Sequence, residues 1–448
     1  MRIKRHLILY GLILGLGLPV QAQTRFNLRA DQLSGDATVQ TLRGNVLLRH
    51  DDGQITADEA VRRYADDHVT FEGDVELQAS PDTLRAPHLT YARHERVGRA
   101  EEGLFFANGE VSVWADRGQY TSATRIIELP GRVIFRDSTR CGAMLGAVYE
   151  AEPKQLSLLD EVSLVDDRLK MLAGAGAYDQ ERRFTHLADS VALRWTDTED
   201  TLWLQAATVA IDQSSDTLRI AAYGSTRFTW EVWHGTADTL GYQRIETEAY
   251  VDELMTLLGK PIVDTDEQAI TGSKVILTRR INTAHQNEAG MRIPADTISA
   301  GAVSGPVNWR QQAWITSQSD EVAADSLYIA GVSTNAGRLH FHGSVRSTFH
   351  PEPKTDSDDH QRLTMEAQRM VGWVADGRLT QLRAYDDVTG EIRSIDRPGM
   401  GSPNESPPPQ ETLIADGRMA FPGRLSSRFA SYDWPSCAYS REPLSYER

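Results

Sequence analysis

Gly44-Asn45-Val46-Leu47-Leu48-Arg49-His50-Asp51-Asp52-Gly53-Gln54-Ile55-Thr56-Ala57-Asp58 carries two marks that return along the first third of the chain. The first is Gly-x-Val-x-apolar, at Gly44-Asn45-Val46, Gly73-Asp74-Val75, Gly109-Glu110-Val111 and Gly131-Arg132-Val133. The second is apolar-x-Ala followed by Asp or Pro, at Leu28-Arg29-Ala30-Asp31, Ile55-Thr56-Ala57-Asp58, Leu84-Arg85-Ala86-Pro87 and Val113-Trp114-Ala115-Asp116. The alanines stand 27, 29 and 29 residues apart, so the two marks run in phase with a repeat of about 28 residues.

Between the marks apolar residues alternate with polar ones, as in Val69-Thr70-Phe71, Val75-Glu76-Leu77, Leu89-Thr90-Tyr91 and Ile127-Glu128-Leu129. A period of two with Val, Thr, Tyr and Phe enriched is that of a half-buried β-strand. Turn residues separate the runs, at Asp51-Asp52-Gly53, Glu72-Gly73, Ser80-Pro81-Asp82, Asn108-Gly109 and Pro130-Gly131. Each repeat is expected to hold two to three strands of about seven to nine residues. Helical periodicity long enough for crossovers is missing, so the sheet is expected to be antiparallel.

Looser copies follow downstream. Asp200-Thr201-Leu202, Asp216-Thr217-Leu218, Asp238-Thr239-Leu240, Asp296-Thr297-Ile298 and Asp325-Ser326-Leu327 repeat an Asp-Thr/Ser-apolar entry already seen at Asp82-Thr83-Leu84, and Gly343-Ser344-Val345 repeats the glycine mark. The best helical candidate spans Tyr250 to Leu258 and stops at Gly259-Lys260-Pro261. Pro351 to Asp359 reads as a polar loop, and Gly399 to Gln410, with Pro407-Pro408-Pro409, as a linker.

The 448 residues carry 47 Lys plus Arg against 63 Asp plus Glu, a net charge of −16. A surface that acidic repels nucleic-acid phosphates, so no nucleic-acid partner is expected. Met1-Arg2-Ile3-Lys4-Arg5-His6, an apolar run from Leu7 to Leu18 and Pro19-Val20-Gln21-Ala22 have the three parts of a cleaved signal peptide. No later segment is expected to cross a membrane as a helix. Of the two cysteines, Cys141 and Cys437, the sequence leaves open whether they pair or stay as buried thiols.

The strand pairs from about Arg25 to Arg136 resemble the OstA-like domain of the LptA-type lipopolysaccharide-transport periplasmic proteins. A second, similar stretch runs from about Tyr223 to Leu277, through Thr236-Ala237-Asp238-Thr239-Leu240, Gly259-Lys260-Pro261-Ile262 and Ala269-Ile270-Thr271-Gly272-Ser273-Lys274-Val275. The order is that of a large OstA-like protein with several modules. The fold class this resemblance implies is all-β, with antiparallel β-jellyroll modules in tandem, each open along one side. The organisation expected is a signal peptide over 1–22, a first module over 23–137, a β-rich connector or further module over 138–222 and a second jellyroll region over 223–397. A Pro-rich linker over 398–412 and a tail over 413–448 complete it.

The resemblance also implies function: a non-enzymatic protein of the periplasm, alone or associated with the outer membrane, that holds the acyl chains of lipopolysaccharide or a related amphiphile. Other jellyroll-bearing transport proteins, joined by edge-strand pairing, and the outer-membrane assembly machinery are the implied partners. Strand alternation turns inward Val46, Leu48, Ile55, Val69, Phe71, Val75, Leu77, Leu84, Leu89, Tyr91, Val111, Val113, Val133 and Phe135, and the resemblance implies that these residues line the lipid-binding groove. An ordinary packed interior accounts for the same alternation. Arg43, Arg49, Arg85, Arg93 and Arg99 are weighed as phosphate contacts against a plain solvated sheet face.

No catalytic residue, metal ligand or cofactor is assigned. His340-x-His342 puts two imidazoles on one strand face without a spaced third ligand. The chain holds no Gly-x-x-x-x-Gly-Lys-Ser/Thr loop and no Gly-x-Ser-x-Gly elbow. Trp195, Trp203, Trp230, Trp233, Trp309 and Trp314 keep a second reading open, a structural or carbohydrate-binding scaffold of the envelope without lipid cargo.

Overall fold

The computed structural model describes residues 27–395, apart from 51–52, 67, 197–200, 215, 266–267, 283–296, 313–318, 334–335, 352–359 and 376–377. The proposed signal peptide, the polar loop after Pro351, the Pro-rich linker and the tail therefore lie outside the described residues. Those that are described form β-strands joined in one antiparallel ladder. The long strands pair mostly with their sequence neighbours, as Val39–His50 does with Gly53–Arg63, and that strand in turn with His68–Ala79.

The strands are longer than the sequence suggests, because each runs through a bend. In the pairing of Val39–His50 with Gly53–Arg63 the register shifts between Arg43 and Val46. The same shift recurs between Glu72 and Val75, Leu159 and Val162, Ala188 and Val191, Tyr223 and Thr226, and His342 and Val345. At each bend one or two residues take left-handed backbone, for example Gly44 and Asn45 with φ of 76° and 46°. An extra residue in that conformation kinks a strand sharply. The long strands that carry such a shift are thus folded into two arms, and the stacked bends make a spine along which one sheet folds over on itself. Between Val97 and Glu150 the bends break the strands into four-residue arms, such as Leu104–Ala107 and Ser112–Ala115. The result is an all-β jellyroll whose two rims of turns meet on the side opposite the spine.

The two sequence marks meet at this spine. The Asp of an Ala-Asp mark sits on the strand beside the next glycine. A Cβ on Gly73 would lie 2.4 Å from Asp58 Oδ2, on Gly259 2.2 Å from Asp238 Oδ2, and on Gly343 2.3 Å from Asp325 Oδ2. Only glycine fits both the positive φ and the carboxylate against it. The carboxylate reads the bend: Asp31 Oδ2 accepts from Asn45 Nδ2 at 2.8 Å, and Asp116 Oδ2 from the Arg132 backbone N–H at 3.3 Å.

Three expectations need correction. Tyr250–Leu258 is a strand, not a helix; Val251, Glu253, Met255 and Leu257 share its inner face, a period of two that the stop signals after it masked. A repeat holds two long folded strands of about a dozen residues, not two to three short ones. The downstream Asp-Thr/Ser-apolar entry is two different features, since Asp238 and Asp325 stand at the spine whereas Asp82 and Asp216 stand at strand ends. Residues 138–222, left open as connector or module, contribute folded strands of the same kind, continuous in the ladder with those on either side.

Cys141 is disulfide-bonded. The chain's other cysteine, Cys437, lies outside the described residues.

Candidate binding interior and its polar seam

The inner faces of both arms are apolar because every second residue of each arm points between them. All fourteen residues assigned to the groove lie there, each at most 3% exposed. Val46, Leu48, Val75 and Leu77 come from one set of arms, and Val69, Phe71, Leu89 and Tyr91 from the other. They belong to a single cluster running from Leu42 to Leu379, packed side chain to side chain. The interior is filled in this conformation. A ligand between the arms has to part them.

What holds the arms together on the open side was not legible in the sequence. Turns at 80–81, 108–111, 137–140, 166–168 and 231–232 line one rim, and turns at 93–96, 122–125, 151–154, 180–183 and 247–249 line the other. Polar side chains bridge the two. Arg125 donates to both oxygens of Asp82 at 2.9 and 3.0 Å, and Tyr120 Oη donates to Asp82 at 2.9 Å. Asp82 is 1% exposed. One repeat along, Asn108 donates to Tyr149 Oη, while Lys154 Nζ and Gln180 donate to Glu110 at 3.2 and 3.0 Å. Tyr178 Oη then donates to Asp137 Oδ2 at 2.9 Å, and Arg140, stacked over the Tyr178 ring, donates to Thr185 Oγ1. Farther on, Arg168 pairs with Glu246 at 2.6 Å, Arg279 with Glu231, and Gln311 accepts from the Leu379 N–H at 2.7 Å.

The electrostatics follow from burial beside carboxylates. Burial first, and then the Asp82 charge, push the Tyr120 phenol far up; burial and Asp137 do the same to Tyr178. Burial raises Tyr149 to about 12, partly offset by Asn108. These phenols are therefore fixed donors at any physiological pH. Burial works against the Glu246 carboxylate, but hydrogen bonds from Arg244 and Arg168 outweigh it and hold it below its ordinary range. Behind the rim Glu253 is enclosed by Tyr242 Oη at 2.5 Å, Arg244 Nη1 at 2.7 Å and Arg279 Nε at 2.6 Å, and the Arg244 guanidinium stacks on Trp195.

Outside the arms a concavity meets the seam. Its wall includes a cross-strand row on the outer face, Arg85, Phe105, Trp114 and Ile134, and its floor reaches Glu110, Lys154, Tyr178 and Gln180. Phe105 and Trp114 lie 5.2 Å apart between ring centroids, and Ile134 is 46% exposed.

The remaining singled-out residues are placed as follows. Arg43 pairs with Glu59 at 3.1 Å and Arg85 with Glu76 at 2.8 Å, while Arg99 bonds Gln119 and Glu95. These three are cross-strand pairs of a solvated outer face. Arg49 stands exposed on that face, opposite Asn27 and Gln54. Trp195, Trp230 and Trp309 are core residues; Trp314 lies outside the described residues. Among the described residues no cluster of three metal-ligating side chains occurs. His340 and His342 remain side by side on one strand, with burial and then the His342 charge lowering the His340 pKa.

A family model described as LptA/(LptD N-terminal domain) LPS transport protein matches residues 27–142. The matched segment contains all fourteen residues assigned to the groove and the first seam contacts, those of Asp82 with Arg125 and Tyr120. Among solved structures, LptH of Pseudomonas aeruginosa, the LptA-homologous periplasmic component of its lipopolysaccharide transport device, is similar at 12% identity. The match covers 30% of this chain and 82% of that one, with a TM-score of 0.16. No curated protein matches the chain.

Proposed function

We propose that this protein carries lipopolysaccharide, or a related amphiphile, by receiving its acyl chains between the arms of the folded sheet while the polar portion stays at the open side. The observation that carries this reading is the match of residues 27–142 to the LptA/LptD N-terminal family model, supported by the apolar inner faces of both arms. Burying acyl chains yields about 0.8 kcal/mol per CH₂, so a chain of ordinary length repays the separation of two packed apolar faces. Val46, Phe71, Leu84 and Val113 are the proposed contacts nearest the middle of the first domain. The periplasm is the proposed location, and other jellyroll transport proteins and the outer-membrane assembly machinery are the proposed partners.

The test is photo-crosslinking of the full chain, produced by export in a lipopolysaccharide-making host and purified without detergent. A photoreactive residue at Phe71 should label lipid A, and one at Arg43 on the outer face should not. A scaffold without cargo is the alternative favoured by the filled interior; it predicts labelling at neither position and a lipid-free mass.

A further inference from the structure

We propose that the polar seam is a clasp operated by the ligand's own charge: an amphiphile with a phosphorylated head group exchanges its anion for the seam carboxylates and so opens the arms for its acyl chains. The inference rests on the carrier reading above and assigns to it the ligand class and the residues that discriminate.

Three observations lead there. Two of the bridges are a carboxylate on one rim held by donors from the other: Asp82 by Arg125 and Tyr120, and, at the concavity itself, Glu110 by Lys154 and Gln180. The interior behind is packed, so no acyl chain enters while the bridges stand. The concavity that an incoming amphiphile would occupy has Glu110, Lys154 and Gln180 in its lining.

The exchange is chemically matched. A phosphate monoester offers the acceptor oxygens a guanidinium or ammonium loses when it leaves a carboxylate. The cations therefore keep a partner throughout, whereas a neutral amphiphile would leave Arg125 and Lys154 unpaired. Lys154 and Glu110 are partly exposed, so their bridge parts first; Asp82, enclosed with Tyr120, parts last. Asp82 and Glu110 are the negative gate, and Arg125 and Lys154 the residues that recognise the head group.

The test uses the full chain with three probes: lipid A, the same lipid stripped of its phosphates, and inorganic phosphate alone. Capture is followed by binding kinetics, and opening by hydrogen exchange at the turns 108–111 and 151–154. Wild-type protein should capture lipid A at least tenfold better than the dephosphorylated lipid, with faster exchange at both turns. Glu110→Gln and Asp82→Asn should capture lipid A severalfold faster. Lys154→Gln and Arg125→Gln should capture both lipids equally. Glu110 and Lys154 are surface residues, so their variants remain informative if the Asp82 and Arg125 variants fail to fold.

Capture of both lipids alike by wild type, or Glu110→Gln behaving as wild type with no change in exchange at the turns, would overturn the clasp and leave the carrier reading standing. Equal opening by inorganic phosphate alone would overturn the assignment to a lipid head group. Failure of every variant to capture either lipid would overturn the clasp and the carrier reading together.

Discussion

Gly73 shows how one residue fixes the bend of a strand. Its φ of 75° and the Asp58 carboxylate at the place of a Cβ exclude any side chain. Gly73→Ala should cost about 1–3 kcal/mol of stability, from the strained backbone and the displaced carboxylate, read as a shift in the denaturant midpoint. In the Asp58→Ala background the loss should shrink toward the backbone share alone, because the atom that collides is gone. An unchanged loss would mean that the carboxylate does not shape the bend. Glycine and aspartate were both visible as repeated letters. That they touch was not, since they lie on neighbouring strands 15 positions apart.

At the scale of an element, the arm ends carry the polar groups that the alternation rule cannot explain. Glu253, Arg244 and Arg279 occupy inner-face positions where the pattern calls for apolar residues. They are tolerated because each charge is bonded and stacked: Arg244 lies 4.5 Å from the Trp195 ring centroid and Arg279 5.3 Å from that of Trp230. Such a buried network adds little net stability but makes loss of one member costly. The neighbouring Arg168 to Glu246 bridge gives a pH signature. Glu246 is held below its ordinary 4.5, so the folded state binds its proton less readily than the unfolded chain does. Its contribution is full above about pH 4.5 and disappears as pH falls through the lowered value. Glu246→Gln should therefore be less stable than wild type at neutral pH and approach it as pH falls below the lowered value. A stability gap that stays constant across that range would show that Glu246 does not work as an ion pair.

Across the whole molecule, one ladder runs through the described residues from Asn27 to Ile395, so a folded strand is stabilised chiefly by its two neighbours. The disulfide at Cys141 adds a covalent tie to these neighbour contacts. A cross-link restricts the unfolded chain, and Cys141→Ser should lower stability by about 2–5 kcal/mol. Thermal unfolding of wild type with and without reductant measures it, and the variant should show no further response to reductant. A reductant effect of the same size in Cys141→Ser would place its origin elsewhere.

Fold class, the antiparallel ladder, the phase of the repeat and the fourteen inward residues were all contained in the sequence, because a side-chain period of two and turn chemistry are local properties. Tyr250–Leu258 was misread where a stop signal at Gly259 outweighed that same period. Tertiary structure alone decided that strands fold at the glycines, that Asp82 and Asp238 serve at opposite sides of the sheet despite a shared motif, and that Arg125, Lys154 and Tyr178 form a seam. These are pairings between arms separated by up to dozens of residues, made by side chains whose types occur everywhere on the surface. Only the folding of the sheet over its spine brings them face to face.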